Sequence, residues 1–277
     1  MDAPPPDAVA QRAVRTALIL RAVDWTPLSP GRTSIAGREQ RKWGRMITVR
    51  RSEDRRHIRS ATQDTWLTFD PTNAADPFRR GFRTLEALNE ESPLPGMGLN
   101  PDHPEDLEII TYVREGALTN LDWSGGVGQI GPTEFRRSNV SAKFRSRVIN
   151  GSLLNPAHVF QSCITFDGID VQPGTEQKRF PVADRKGVLR LVASLDGKDG
   201  SLQIHQDVQM YSSVLLVGHH LVHELTLGRA AWLHVIKGRV ALREHFLGTG
   251  DAVGVEDEGA LAFSAQVPSE VLLFNLA

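Results

Sequence analysis

The sequence contains a single cysteine, Cys163, among its 277 residues. One thiol cannot form a disulfide bond within the chain, so the core must be held together by burial alone. This fits a reducing compartment, and we expect a cytoplasmic protein. Cys163 lies in the apolar segment Val159–Phe166, where a free thiol is expected to be a small, unreactive core residue.

The chain also lacks a strong net charge, because 32 Lys and Arg residues face 33 Asp and Glu residues, a formal charge of -1. Such a balance provides no overall field that attracts nucleic acid or an anionic membrane. Long apolar runs are missing as well. The best N-terminal candidate, Ala17–Leu20, is far shorter than the roughly 18 residues of a spanning helix. We therefore expect no direct nucleic-acid binding, no membrane insertion and no export.

Helical periodicity is scarce. Residues 1–45 contain the proline run Pro4–Pro6 and a Pro/Gly/Ser stretch, Pro27–Gly37, and are predicted to form a largely disordered leader with at most one short helix, Ala8–Val23. From Met46 onward, short apolar segments separated by turn residues predict a β-sandwich or barrel. The predicted strands are Leu107–Val113, Ala117–Trp123, Lys143–Ile149, Val159–Phe166, Leu189–Ala193, Leu202–Tyr211, Val214–Val217, Leu221–Leu227, Trp232–Ile236, Val240–Arg243, Ala260–Ala265 and Val271–Leu276.

A weak internal repeat divides this part of the chain in two. Tyr112–Leu118 and Val235–Val240 each combine an apolar strand, a charged residue, a turn glycine and the start of another strand. The repeat predicts two tandem barrels joined near Gln172–Arg185, a mostly polar stretch with two prolines. The predicted organisation is a leader over residues 1–45, an N-terminal domain over residues 46–180 and a C-terminal domain over residues 181–277.

The segment Gly96–Gly116 contains a G-x-G motif followed by the strand Asp106-Leu107-Glu108-Ile109-Ile110-Thr111-Tyr112-Val113. It resembles the pirin family of cupins, in which G-x-G-x-H-P-H leads into a strand reading D-x-E-I-x-T-Y-V-x-E-G. Asp199–Leu202, His205–Asp207 and the closing Glu270–Phe274 match the family as well, so the resemblance covers about residues 46–277. It implies an all-β fold of two tandem cupin, jelly-roll-like β-barrels.

The resemblance also implies a metal site in the N-terminal barrel, where pirins hold one iron-like ion through three histidines and one glutamate. Such ligands suit a divalent metal and leave positions open for substrate or dioxygen. This sequence departs from the family at the first ligand pair, H-P-H. One register places Asn100-Pro101-Asp102 there and the other places His103-Pro104-Glu105, so at most one histidine of the pair remains. The residual metal candidates are Asp102, His103 and Glu105.

The second ligand pair implied by the resemblance is H-x-E on a strand, and its positions correspond to Ser146 and Val148. Alternate residues of a strand share one face, so Phe144, Ser146 and Val148 point to the same interior. That face is typical of a packed barrel and is a poor wall for a metal ion. We predict that these three residues border a ligand cavity.

Two functions follow from these observations. In the first, the protein has lost its metal site and binds a small apolar or aromatic molecule, or acts as a regulatory protein that meets a protein partner. In the second, which rests on the resemblance, it is a metal-dependent dioxygenase of the quercetin 2,3-dioxygenase type. The second function would require iron or another divalent metal, with His103 and Glu105 as residual ligands.

Overall fold

The computed structural model describes residues 46–99, 107–121, 127–139, 147–165 and 174–277. These residues are almost entirely β-structure, which confirms the predicted all-β class. Among them only Val182–Arg185 (α1) forms an α-helix, and Ser52–Asp54 and Lys198–Gly200 form single 3-10 turns. No helix in these described ranges is long and apolar enough to cross a membrane. The predicted leader, residues 1–45, lies outside them.

The strands follow one another with short connections. The first eleven are β1 (Met46–Arg50), β2 (Arg56–Arg59), β3 (Gln63–Leu67), β4 (Leu85–Pro93), β5 (Leu107–Glu115), β6 (Leu118–Leu121), β7 (Val127–Ile130), β8 (Glu134–Asn139), β9 (Arg147–Asn150), β10 (His158–Thr165) and β11 (Thr175–Arg179). The others are β12 (Arg190–Ser194), β13 (Leu202–Gln203), β14 (Val208–Leu215), β15 (His220–Glu224), β16 (Ala230–Lys237), β17 (Arg239–Leu242), β18 (His245–Gly248), β19 (Ala252–Glu256), β20 (Ala260–Ala265) and β21 (Ser269–Leu276).

Four sheets are formed from these strands. The N sheet has the order β11-β8-β5-β10-β4-β3-β2, and the outer N sheet has the order β7-β6-β9. The C sheet has the order β1-β19-β16-β21-β14-β12-β13, and the outer C sheet has the order β15-β20-β17-β18. Each large sheet is thus paired with a small one, as in a jelly roll.

The two large sheets also pack against each other. Strand β16 reads as a nearly continuous apolar run and is buried from Ala230 to Ile236, because both of its faces are covered. Trp232 belongs to the core between the N and C sheets, whereas Leu233 belongs to the core between the C sheet and the outer C sheet. On the other side, Val159 of the N sheet packs with Leu118 of the outer N sheet.

An aromatic group surrounds Trp232 in the central core. The ring centroids of Phe69, Phe78 and Phe82 lie 5.0, 5.1 and 5.2 Å from that of Trp232. The group needs a glycine at position 254, since a Cβ atom there would lie 2.7 Å from the Phe82 ring. The segment between β3 and β4 and the strands of the second half therefore share one core.

The first strand contributes to the sheet of the second half. Strand β1 pairs with β19 in antiparallel register, with Thr48 opposite Gly254. Strand β1 thus belongs to the C sheet, whose other strands all come from the second half of the chain. The predicted division into domains at residues 46–180 and 181–277 remains a prediction.

Candidate functional site

The N sheet has a polar row on the face turned towards the outer N sheet. Arg136, Thr111, Gln161 and Asn89 are successive cross-strand partners on β8, β5, β10 and β4, and such partners share a face of the sheet. With its side-chain amide turned to accept, Asn120 of the outer N sheet receives both Nη groups of Arg136 at 3.0 and 2.8 Å. This face is the interior of the N-terminal barrel.

An open cavity of about 970 Å³ lies over the same face, along β3 and β4. Its size falls within the range of small-molecule sites. Every second residue of the two strands contributes, since alternation places these positions on one side. Apolar side chains line much of the wall: Ile58, Leu67, Phe69, Ala87, Leu99 and Leu107.

The end of the cavity at Gln63 presents hydrogen-bond acceptors. The Gln63 Nε2 group donates to Thr65 Oγ1 at 2.9 Å, while Gln63 Oε1 is buried and has no partner. Thr65 lies opposite Glu91 in the β3–β4 ladder, and the Glu91 side chain is 1% exposed. Because amide and carboxylate oxygens only accept, this end favours a ligand group that donates.

The mouth of the cavity carries positive charge. Arg79 and Arg80 line it and are both exposed. Neither guanidinium pairs with a carboxylate among the residues that the structure describes. Glu86 also borders the mouth and is exposed, so the two arginines outnumber the local carboxylate.

Cys163 lines the cavity beneath its apolar wall. Its side chain is buried and free of disulfide bonds, which confirms the predicted core position. Burial raises the pKa of the thiol far above its usual range, and the charges of Glu91 and Glu86 act in the same direction. The thiol is therefore protonated at neutral pH and is a weak nucleophile.

A second polar cluster lies between the N and C sheets. Glu270 of β21 accepts hydrogen bonds from Tyr112 Oη, from Arg185 Nη1 at 3.0 Å and from Arg114 Nε at 3.2 Å. Arg185 also donates to Ser212 Oγ at 2.8 Å and is 1% exposed. Burial raises the pKa of Tyr112, and the Glu270 charge adds to this, so the phenol stays protonated and donates. The cluster joins the two halves and is largely buried, with Arg114 and Glu270 only partly exposed.

The same interface contains a smaller group around Glu90. Its carboxylate contacts His158 Nε2 at 2.8 Å and Arg55 Nη1 at 2.8 Å. Burial alone would raise the pKa of Glu90, but the His158 hydrogen bond and the Arg55 charge outweigh it and lower this pKa to about 2. Nearby, His234 is fully buried and both of its ring nitrogens lack a partner. Burial, with the Arg55 charge, lowers the pKa of His234 to about 3.

Comparison with known proteins decides the family. A family model described as the quercetinase C-terminal cupin domain matches residues 191–276. Quercetin 2,3-dioxygenase from Escherichia coli K12 is 34% identical over 231 residues, which covers 83% of this chain and 99% of the relative. A pirin-like protein from Caulobacter vibrioides is 28% identical over 205 residues, 73% of this chain and 87% of that protein.

The chain belongs to the pirin family. Among solved structures, the bacterial pirin YhhW from Escherichia coli in complex with nickel(II) is 34% identical, with a TM-score of 0.76. The match covers 83% of this chain and 99% of YhhW. The sequence resemblance and the predicted cupin fold are thereby confirmed.

Val148 occupies the position that the resemblance assigns to the glutamate ligand of a pirin metal site. Val148 lies in β9 opposite Asn120 and packs against the apolar cluster of Leu99, Val113 and Leu118. Its side chain has no donor atom, so it does not fit the glutamate position of a pirin metal centre. Within the described ranges, no three His, Cys, Asp or Glu side chains are grouped to hold a metal ion.

The other predicted site residues, Asp102, His103, Glu105, Phe144 and Ser146, lie outside the described residues. The cavity wall of β3 and β4 was not predicted from the sequence. A signal was available in the alternation Gln63, Thr65, Leu67, where every second residue faces one side. The part played by Val148 in ligand binding remains a prediction.

Proposed function

We propose that this pirin-family protein has lost its metal site and binds a small apolar or aromatic molecule in its N-terminal barrel, as a binding or regulatory protein. The cavity of about 970 Å³ over the inner face of the N sheet is the observation that carries this proposal. Its wall is apolar between two polar ends, the usual composition of a site for an organic ligand. A barrel of this kind can hold one small molecule without a metal.

The replaced ligand positions support the same proposal. The family pattern requires three histidines and a glutamate, whereas the chain has Ser146 and Val148 at one pair and at most one histidine at the other. A serine hydroxyl is a poor ligand for an iron-like ion, and a valine is none. Loss of a single supporting hydrogen bond around a metal ligand commonly costs 10 to 100-fold in affinity, so losing three direct ligands should cost far more.

The alternative function is a metal-dependent dioxygenase of the quercetin 2,3-dioxygenase type. The names of the relatives favour it, since a protein that is 34% identical is called quercetin 2,3-dioxygenase. It would use iron or another divalent metal held by His103 and Glu105. The direct test is the metal content of the full chain purified from its native host, together with oxygen consumption in the presence of quercetin.

We expect well under one equivalent of iron, nickel, copper or zinc and no oxygen consumption. One tightly held metal ion that disappears in the His103→Ala variant would instead establish the alternative. Ligand binding has its own test. Asn89→Trp should fill the cavity and abolish binding of small aromatic molecules, whereas the matched variant Val222→Trp, on the exposed face of β15, should leave binding unchanged.

A further inference from the structure

The two ends of the cavity in the N-terminal barrel favour different chemical groups of a ligand. At one end, Gln63 is 9% exposed, and its Oε1 atom has no hydrogen-bond donor. Turning the amide would let Thr65 Oγ1 donate to Oε1 but would place Nε2 where no partner lies, so one polar atom of the amide stays unpaired in either orientation. A buried polar atom without a partner costs free energy, so a ligand hydroxyl group, which can donate or accept, gains affinity there. Glu91, which lies opposite Thr65 and is 1% exposed, adds an acidic side chain near this end that disfavours an anion.

The mouth has the opposite preference. Arg79 and Arg80 are adjacent, exposed and line the opening, and their guanidinium groups can form paired hydrogen bonds with a carboxylate. Glu86 reduces this positive charge without cancelling it. An anionic group of the ligand is therefore favoured at the mouth and disfavoured at the end that carries Gln63 and Glu91.

The length of the cavity along β4 indicates the length of ligand that it can hold. Glu86 and Glu91 both border the cavity and lie on the same strand, β4. At about 3.3 Å per residue, their backbones are roughly 17 Å apart. The wall between these ends includes Leu67, Ala87 and Leu107. An elongated, flat apolar body fits such a wall better than a compact one.

We infer that the cavity takes an elongated hydroxyaryl carboxylate, with its carboxylate at Arg79 and Arg80 and its hydroxyl group donating to Gln63 Oε1. This inference rests on the proposed function, because it specifies the class of molecule bound at the same site. The carboxylate thus lies among exposed arginines, and the hydroxyl group lies beside the buried Gln63 side chain.

The test is calorimetric titration of the full chain with four probes: 4-hydroxycinnamate, its methyl ester, cinnamate and tyramine. We expect 4-hydroxycinnamate to bind at least about tenfold more tightly than the ester, and about fivefold more tightly than cinnamate, given the usual strengths of charged and neutral hydrogen bonds. Tyramine, which places a cation at the mouth, should bind more weakly than any of the others.

Variants assign each effect to its residue. Arg79→Gln with Arg80→Gln should abolish the advantage of the acid over its ester and leave binding of the ester unchanged. Gln63→Met should abolish the advantage over cinnamate. The control for the arginine pair is Lys237→Gln with Arg239→Gln, which removes two exposed positive charges from the C-terminal half. The control for Gln63→Met is Gln266→Met, at an exposed position of the same half. Both controls should bind 4-hydroxycinnamate like the unmodified protein.

The outcomes separate this inference from the proposed function. If the acid and its ester bind equally tightly in the unmodified protein, the hydroxyaryl carboxylate class is wrong, while small-molecule binding stands. Tighter binding of tyramine would also overturn the class, because Glu91 would then dominate recognition. If none of the four probes binds at millimolar concentration, the hydroxyaryl carboxylate class is wrong, whereas the proposed function is decided by its own test of metal content and oxygen consumption.

Discussion

Replacing Glu270 by glutamine is expected to destabilise the protein strongly. Glutamine has nearly the same shape but no charge, so Arg185, which is 1% exposed, would lose the carboxylate that neutralises it. Breaking a buried ion pair by removing one partner costs about 3–5 kcal/mol, because the remaining charge stays buried. For a protein of this size, that corresponds to a fall in melting temperature of about 6–20 °C.

The assay is urea denaturation of the full chain at pH 7, with thermal unfolding as a second measurement. Glu224→Gln on the exposed face of β15 is the matched control and should change the free energy of unfolding by less than about 0.5 kcal/mol. A second variant separates charge from packing. Combining Arg185→Met with Glu270→Met should recover part of the lost stability, because the fully buried charge of Arg185 is then gone, while the Tyr112 and Ser212 hydroxyl groups lose their partners.

Two results would refute this reasoning. If Glu270→Gln costs no more than Glu224→Gln, the cluster contributes little to stability. If the Arg185→Met, Glu270→Met variant is as unstable as the single variant, the loss comes from disturbed packing between the N and C sheets.

Three further predictions concern pH and the leader. The pKa of His234 is lowered to about 3, so the unfolded chain binds the proton first, and the free energy of unfolding falls as pH drops from about 6.5 towards 3. In a series of urea denaturations at different pH values, His234→Leu should flatten this part of the profile. His220→Leu, at an exposed site, should leave it unchanged. The pKa of Glu90 is lowered to about 2, so its contribution to the free energy of unfolding is complete above about pH 4.5 and is lost towards pH 2. The Glu90→Gln variant should be less stable at neutral pH, and its stability should vary less between these pH values. An unchanged pH profile would contradict the assignment. Deleting residues 1–45 leaves β1 and its pairing with β19 in place, so the melting temperature should change by less than about 5 °C in a thermal scan; a larger fall would mean that the leader packs against the folded part.

Much of the fold could be predicted because local patterns agree with the final structure. The apolar segment predicted at Trp232–Ile236 lies within β16, and Cys163 is buried as its apolar surroundings suggested. Other boundaries were shifted by pairing that is not local. The segments Leu202–Tyr211 and Val214–Val217 were predicted as two strands, but β14 runs without interruption from Val208 to Leu215 along β21. Such pairing depends on residues far away in the sequence.

The cavity was harder to predict than the fold. Its wall needs the register between β3 and β4, and its mouth needs the path of the connection that carries Arg79 and Arg80. Neither follows from periodicity. In the same way, nothing local in Met46–Arg50 indicates that β1 joins the C sheet beside β19.

The alternation of the N sheet explains how a pirin barrel could change its chemistry and keep its fold. Leu88, Tyr112 and Phe160 point into the core shared with the C sheet, whereas their neighbours Asn89, Thr111 and Gln161 point into the barrel. Substitutions on the barrel face leave the central core intact, because successive residues of a strand face opposite sides. A side chain of the N sheet that faces the barrel can therefore change at little cost to the central core, and selection on the cavity is largely separated from selection on the core.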